Sequence, residues 1–311
     1  MRTILLFIDG LGWGEPEPEN NPQYSYGGEF FRLPRTNGNP DQCLPVHRQG
    51  WARPIDAVLG VAGVPQSATG QTTLLSGVNA QADLGKHLTG FPNDRLREIL
   101  LEHSVLKQLA DTGCEVRFIN AFRPRFFEFP RERQLRFSAT TVANLAGYLP
   151  FFDLEDVNAG RSIYQEFTNR ELIDKGFDVR AMTPAEAGRV LGRQSQQYDF
   201  TLYEYFQSDK AGHSAETVRI ESELWKLEEF LTALLKELTK QRTNGGAETL
   251  VVLTSDHGNL EDTTTRRHTC NPVPLVAWGS GAETFLSGIT RLDQVTPAIV
   301  DRHADRQINR S

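Results

Sequence analysis

The sequence has little cysteine: three residues in 311, Cys43, Cys114 and Cys270, far apart and odd in number. That spacing supports neither a disulfide framework nor a cysteine zinc site, and it suits a reducing compartment. No apolar run reaches the length of a membrane span; the first, "ILLFI", is too short for a secretory leader and ends in Asp9. There is no surplus of basic charge. The formal net charge of -7 argues against a general nucleic-acid binder, though not against an anionic substrate held beside metal ions. The chain has no internal repeat or low-complexity tract, and the glycines of "GLGWG" miss the G-x-G-x-x-G spacing of a dinucleotide loop. What is present is an ordinary globular composition and enough chain for one large α/β domain with a smaller insert. The expectation is a cytoplasmic protein with no membrane and no nucleic-acid partner.

Short apolar runs at 3–8, 115–119, 200–206 and 249–254 read as buried strands, with a weaker fifth at 273–278 interrupted by Pro274. Between them lie helical patterns. One covers 94–112 and stops at Gly113; another covers 214–242, with a stripe of Ile220, Leu224, Leu227, Leu231, Leu234, Leu235 and Leu238. Strand–helix alternation predicts an α/β fold: a mostly parallel central sheet with helices on both faces. Residues 14–56, rich in Pro, Asn and Gly, read as an excursion over the surface. Residues 122–197 read as a small inserted cap, which leaves 1–121 and 198–311 as the catalytic core.

Polar residues fall where the strands end. Asp9 follows the first; Asp209 and His213 follow 200–206, one helical turn apart; Asp256 and His257 follow 249–254; His268 precedes the fifth. In open parallel sheets ligands sit outside the carboxyl ends of the strands. An aspartate after a strand is commonly a turn or cap residue, yet three aspartates and three histidines at one sheet edge make a metal centre. The oxygen and nitrogen donors suit Mn²⁺ or Zn²⁺, with Mg²⁺ also fitting an oxygen-rich position. Cys270 reads as a small buried hydrophobe instead.

The stretch "VPQSATGQTTLLSG" places Ser67 at the start of a helix, where free N–H groups and the dipole favour an anion. With Ser67 added, seven ligands suit two ions, the arrangement that clamps both oxygens of an in-line phosphoryl displacement. Ser67 is then the candidate nucleophile.

These motifs resemble those of the alkaline phosphatase superfamily, in its branch of cofactor-independent phosphoglycerate mutase and phosphopentomutase. "SATGQ" resembles the nucleophile motif, "SDKAGH" the Asp-x-x-x-His pair, "SDHGNLE" the Asp-His-Gly-Asn-x-Glu loop, and "HTCNPVP" the His-Thr-x-Asn-Pro-Val-Pro segment. The resemblance implies an alkaline phosphatase-like fold. It implies one metal held by Asp209, His213 and His268, and a second held by Asp9, Asp256, His257 and Ser67. Gln71 stands where these mutases carry His, and Lys210 is unusual within its loop. The insert is much smaller than the cap of the phosphoglycerate mutases and lacks their substrate-binding motifs. Arg123, Arg125, Arg131 and Arg133 lie in it, of which one or two are expected to reach an anionic substrate, with Lys210 adding charge. The expected activity is a metal-dependent phosphomonoesterase acting through a phosphoserine on a small phosphorylated metabolite. The alternatives are a phosphomutase and a non-catalytic module that binds a phosphorylated ligand.

Overall fold

The computed structural model describes residues 1–34 and 43–308. Seven strands form one sheet: β1 (Arg2–Ile8), β2 (Leu44–Val46), β3 (Gly50–Ile55), β4 (Val116–Phe118), β5 (Phe200–Tyr205), β6 (Thr249–Thr254) and β7 (Val273–Trp278). Their order across the sheet is β2–β3–β7–β6–β1–β5–β4. The centre is parallel, with β1 between β5 and β6 and β4 outside β5. In β1, Ile4, Leu6 and Ile8 enter the apolar core on one face of the sheet while Leu5 and Phe7 enter the other. Burial on both faces is why the strand is apolar throughout instead of alternating.

The sheet as a whole is mixed, not parallel. β7 runs antiparallel to β6, β3 antiparallel to β7, and β2 antiparallel to β3. This reverses the reading of 14–56 as a surface excursion. Trp13, Tyr26, Phe30, Phe31 and Leu33 are buried, and the chain from Leu44 to Ile55 builds a hairpin onto the sheet. Part of that stretch, 35–42, lies outside the described residues. The reversal of β7 also matters for chemistry. Its amino end lies at the same edge as the carboxyl ends of β1, β5 and β6, which brings the segment around His268 to the edge where Asp9, Asp209 and Asp256 emerge.

The helical pattern at 94–112 is two helices, Asp94–His103 and Val105–Asp111, broken at an extended Ser104 whose Oγ caps the second by accepting from Lys107 N. The pattern at 214–242 is one helix, Thr217–Thr243. Within 122–197, Ala139–Ala146 packs on the Ser67–Ser76 and Asp94–His103 helices, and Pro184–Gln194 packs on Thr217–Thr243. Gly188 makes that second contact close: a Cβ there would lie 2.2 Å from Phe230 O. The pieces at 122–137 and 150–182 carry short helices next to the ends of β4 and β5. Among the described residues, no helix is long and apolar enough to cross a membrane.

Candidate metal centre

Asp9, Asp209, His213, Asp256, His257 and His268 meet at one edge of the sheet. His257 lies at the centre. Its Nε2 is 3.3 Å from Asp9 Oδ1, 3.4 Å from Asp256 Oδ2 and 3.0 Å from Ser67 Oγ. The His257 ring stacks on His268 at 3.7 Å between centroids. Asp209 turns one oxygen to each of the other histidines, Oδ2 at 3.4 Å from His213 Nε2 and Oδ1 at 3.6 Å from His268 Nε2.

The donor set fits divalent cations. Each imidazole places Nδ1 against a backbone carbonyl: His268 at 3.0 Å from Pro65 O, His213 at 2.8 Å from Arg266 O, His257 at 3.4 Å from Gly258 O. A proton on Nδ1 satisfies those carbonyls and leaves every Nε2 lone pair directed into the cluster. Two of these lone pairs, on His213 and His268, then face one another 3.3 Å apart. Two buried carboxylate oxygens, Asp9 Oδ1 and Asp256 Oδ2, receive no hydrogen bond. Facing lone pairs and unpaired buried anions are unfavourable together unless a cation lies among them. Burial, then the neighbouring Asp256 and Asp209, pushes the Asp9 carboxyl well above its usual range. Burial lowers both His257 and His268 to about 4, so the neutral, ligating form prevails at neutral pH. Two sets of ligand atoms come within 4.8 Å of one another: Asp209, His213 and His268, and Asp9, Asp209 and His257. Asp209 thus belongs to both groups.

Ser67 is the first residue of the Ser67–Ser76 helix and makes no capping hydrogen bond. The other hydroxyls of the stretch have partners away from the cluster: Thr69 Oγ1 donates to Gln66 O, Thr72 Oγ1 to Ala68 O, Thr73 Oγ1 to Gln81 Oε1, and Ser76 Oγ to Thr72 O. Those hydroxyls serve packing, while Ser67 Oγ faces His257. Gly70 brings the helix onto the Asp256 loop, since a Cβ there would lie 2.6 Å from Asp256 O.

Three residues absent from the sequence-derived site hold the centre in shape. Gln71 Nε2 donates to Asp9 Oδ2 at 3.2 Å, which leaves Oδ1 for a ligand role. Asn259 Nδ2 donates to Asp209 Oδ1 at 2.7 Å. Buried Glu261 accepts from Gly12 N and Asn259 N through Oε2, and from Thr269 and Asn271 through Oε1. It ties three ligand-bearing segments together. The glycines of "GLG" and "DHG" make room for it: a Cβ at Gly12 or Gly258 would approach its carboxylate to 2.1 or 2.4 Å. Cys270, expected to be buried, is exposed, with Sγ 3.8 Å from Gly63 O.

Comparison with known proteins agrees with this geometry. Residues 158–304 match the family described as the metalloenzyme superfamily. That stretch, just under half of the chain, carries Asp209, His213, Asp256, His257 and His268 of the cluster. Over 114 residues it is 29% identical to the 2,3-bisphosphoglycerate-independent phosphoglycerate mutase of Colwellia psychrerythraea, a match covering 34% of this chain and 20% of that protein's length. The fold is that of the PH0037 protein of Pyrococcus horikoshii (TM-score 0.53, 13% identity, 96% of each chain). It is also that of a cold-active alkaline phosphatase from a psychrophilic Shewanella (TM-score 0.52, 12% identity, 97% of this chain and 99% of that one).

Beside the cluster lies a cavity of about 540 Å³, to which Lys210, Arg123 and Arg125 all contribute. Arg131 instead donates to Leu145 O and lies over the Tyr148 ring, and Arg133 packs on Phe129. The cavity also reaches Glu204, a buried acid on β5 held by Asn120, which exchanges side-chain hydrogen bonds with its backbone N–H and C=O, and by Thr140 Oγ1. Burial raises the Glu204 carboxyl to about 7. Between its unfolded value of about 4.5 and about 7 the folded state holds a proton that the unfolded state has released. Stability therefore falls as pH rises through that window. Metal-free Glu204→Gln is expected to lack this component. Its stability advantage over the unsubstituted chain should grow by on the order of 2 kcal/mol between pH 5 and 8 in urea unfolding; an advantage independent of pH contradicts the assignment.

Proposed function

We propose that the chain is a metal-dependent phosphomonoesterase that works through a phosphoserine on Ser67. The observation that carries this reading is the position of Ser67: a hydroxyl at a helix amino terminus, 3.0 Å from His257 Nε2, with three aspartates and three histidines around it. Asp209, His213 and His268 would hold one divalent ion, and Asp9, Asp256, His257 and Ser67 the other, with Mn²⁺ or Zn²⁺ favoured and Mg²⁺ also suited. Such ions, when bound, supply Lewis acidity to phosphoryl oxygens and lower the pKa of a coordinated hydroxyl.

The chain's own groups set the rest of the reaction. Ser67 Oγ gives up its proton to solvent and forms a bond to phosphorus, the bond to the leaving oxygen breaks, and the leaving alkoxide takes a proton from water. The helix amino terminus favours the negative phosphoryl group. Gln71 and Asn259 fix Asp9 and Asp209 in place, which holds the nucleophile's surroundings preorganised. Lys210, Arg123 and Arg125 attract the anionic ester from the cavity. Water then attacks the phosphoserine and releases inorganic phosphate. A small phosphorylated metabolite, acted on in the cytoplasm, fits three unpaired cysteines and a net charge of -7.

A mutase would return the phosphoryl group to the substrate and must exclude water while it does so. The two outcomes separate in ¹⁸O-labelled water with Mn²⁺-loaded protein and a panel of phosphate monoesters. Hydrolysis predicts phosphate released in step with substrate loss and carrying one labelled oxygen. An isomerised ester formed without phosphate release overturns the hydrolase reading in favour of the mutase.

A further inference from the structure

We propose that the cavity beside the metal centre takes a flat, apolar leaving group, so that the substrate is a phosphomonoester of an alcohol bearing an aromatic or similarly flat hydrocarbon group. This rests on the phosphoester reading above and names its substrate class. The cavity, about 540 Å³, is large enough for a fused ring system with its phosphoryl group. Its walls come from separate parts of the chain, and most contribute aromatic rings: Phe118 on β4, Phe122, Phe129 and Phe137 from the segment after it, Phe206 after β5, and Phe91 at 65% exposure.

The inner rings are held in place by one another. Phe122 packs on Phe118 and Phe126 at 6.2 and 4.2 Å between centroids, and on Phe151 edge-on at 4.9 Å. Phe129, Phe137 and Phe206 are only partly buried. A soluble chain does not normally collect partly exposed rings around one opening unless something apolar covers them. Asn120, Ser138, Gln165 and Glu171 also line the cavity, but a polyol held by them would leave the partly exposed rings wet, whereas a ring system would bury apolar surface against them.

The cavity also has a direction. Lys210, next to the ligand Asp209 in the chain, lines it with Nζ 4.6 Å from the Phe206 ring centroid. Glu204 lines it too, one residue before Tyr205, whose carbonyl accepts from Asp9 N at 2.9 Å. The metal-ligand cluster is therefore at one end, where the phosphoryl group belongs, and the rings extend away from it. The exposed guanidinium groups of Arg123 and Arg125 complete the lining, able to stack on a flat group or to screen the ester's charge.

The test uses full-length Mn²⁺-loaded protein and two phosphonates that cannot be hydrolysed, 2-naphthylmethylphosphonate and methylphosphonate, compared by titration calorimetry. The naphthyl compound is expected to bind at least ~30-fold more tightly, from the apolar area it buries. Phe129→Ser combined with Phe137→Ser should cut that ratio below about five-fold, mainly through weaker naphthyl binding. Equal affinities, or no measurable binding of the naphthyl compound, overturn the proposal. Turnover is followed separately with 2-phenylethyl phosphate and ethyl phosphate, whose alkoxide leaving groups are chemically alike. A binding preference without phosphate release from either ester leaves the pocket assignment standing and defeats the hydrolase reading; release from both at equal efficiency, with equal phosphonate affinities, does the reverse.

Discussion

Replacing Ser67 by alanine is expected to lower the rate of phosphate release by at least ~10⁴-fold at saturating substrate, because the step that forms the phosphoenzyme has no other nucleophile. The nearby hydroxyls are not substitutes. Thr69, Thr72 and Ser76 all donate to backbone carbonyls of their own helix or its cap. The fold should survive the change, since Ser67 is not the cap of its helix and, among the described residues, its hydroxyl bonds to His257 alone. Ser67→Ala is therefore expected to melt within a few degrees of the unsubstituted protein and to retain most of its metal. A variant that keeps a tenth of the activity would show that the chemistry runs through another group.

The second large effect is expected at Asp209. It would hold one ion with His213 and His268, toward which its two oxygens turn, and a ligand atom of Asp209 also lies within 4.8 Å of those of Asp9 and His257. Asp209→Asn preserves shape but removes an anion, and it can set an amide N–H₂ against the Asn259 donor that now points at Oδ1. Metal content by elemental analysis should fall by half or more, and activity by at least ~10³-fold, without recovery on adding Mn²⁺ within the range that saturates the unsubstituted enzyme. Full retention of metal by Asp209→Asn would contradict its place as a ligand. His213→Ala should be milder in stability, since nearly half of the His213 side chain is exposed.

The central strands were legible because burial on both faces demands continuous apolar runs, as in "TILLFI" and "TLVVLT". The clustered aspartates and histidines stood out in the sequence because all but His268 come after those strands, and His268 lies just before β7. β2 and β3 were not. "LPV" and "GWARPI" carry Pro and Arg, and Arg53 is buried against Leu286 O, a contact that no local pattern announces. The break at Ser104 was hidden because the apolar spacing continues through it while only the backbone turns extended. Glu261 stood inside a motif with a visible signal, a glycine on either side of the loops it joins, but its role depends on three segments meeting. Gln71 showed only as a departure from the mutase motif, with no sign of its contact to Asp9, and Glu204 gave no sequence signal. One matters through a single contact with Asp9, the other through burial at the cavity wall, and both are products of tertiary placement.

The account turns on whether a phosphoryl group passes through Ser67. Mn²⁺-loaded protein mixed with a turning-over phosphate monoester, quenched in acid within milliseconds and digested, answers this by mass spectrometry of the peptide spanning residues 64–77. Phosphate on Ser67, absent without substrate and absent from Ser67→Ala, is the predicted result. Phosphate on Thr69 or Thr72, or none at all while inorganic phosphate accumulates, would contradict it.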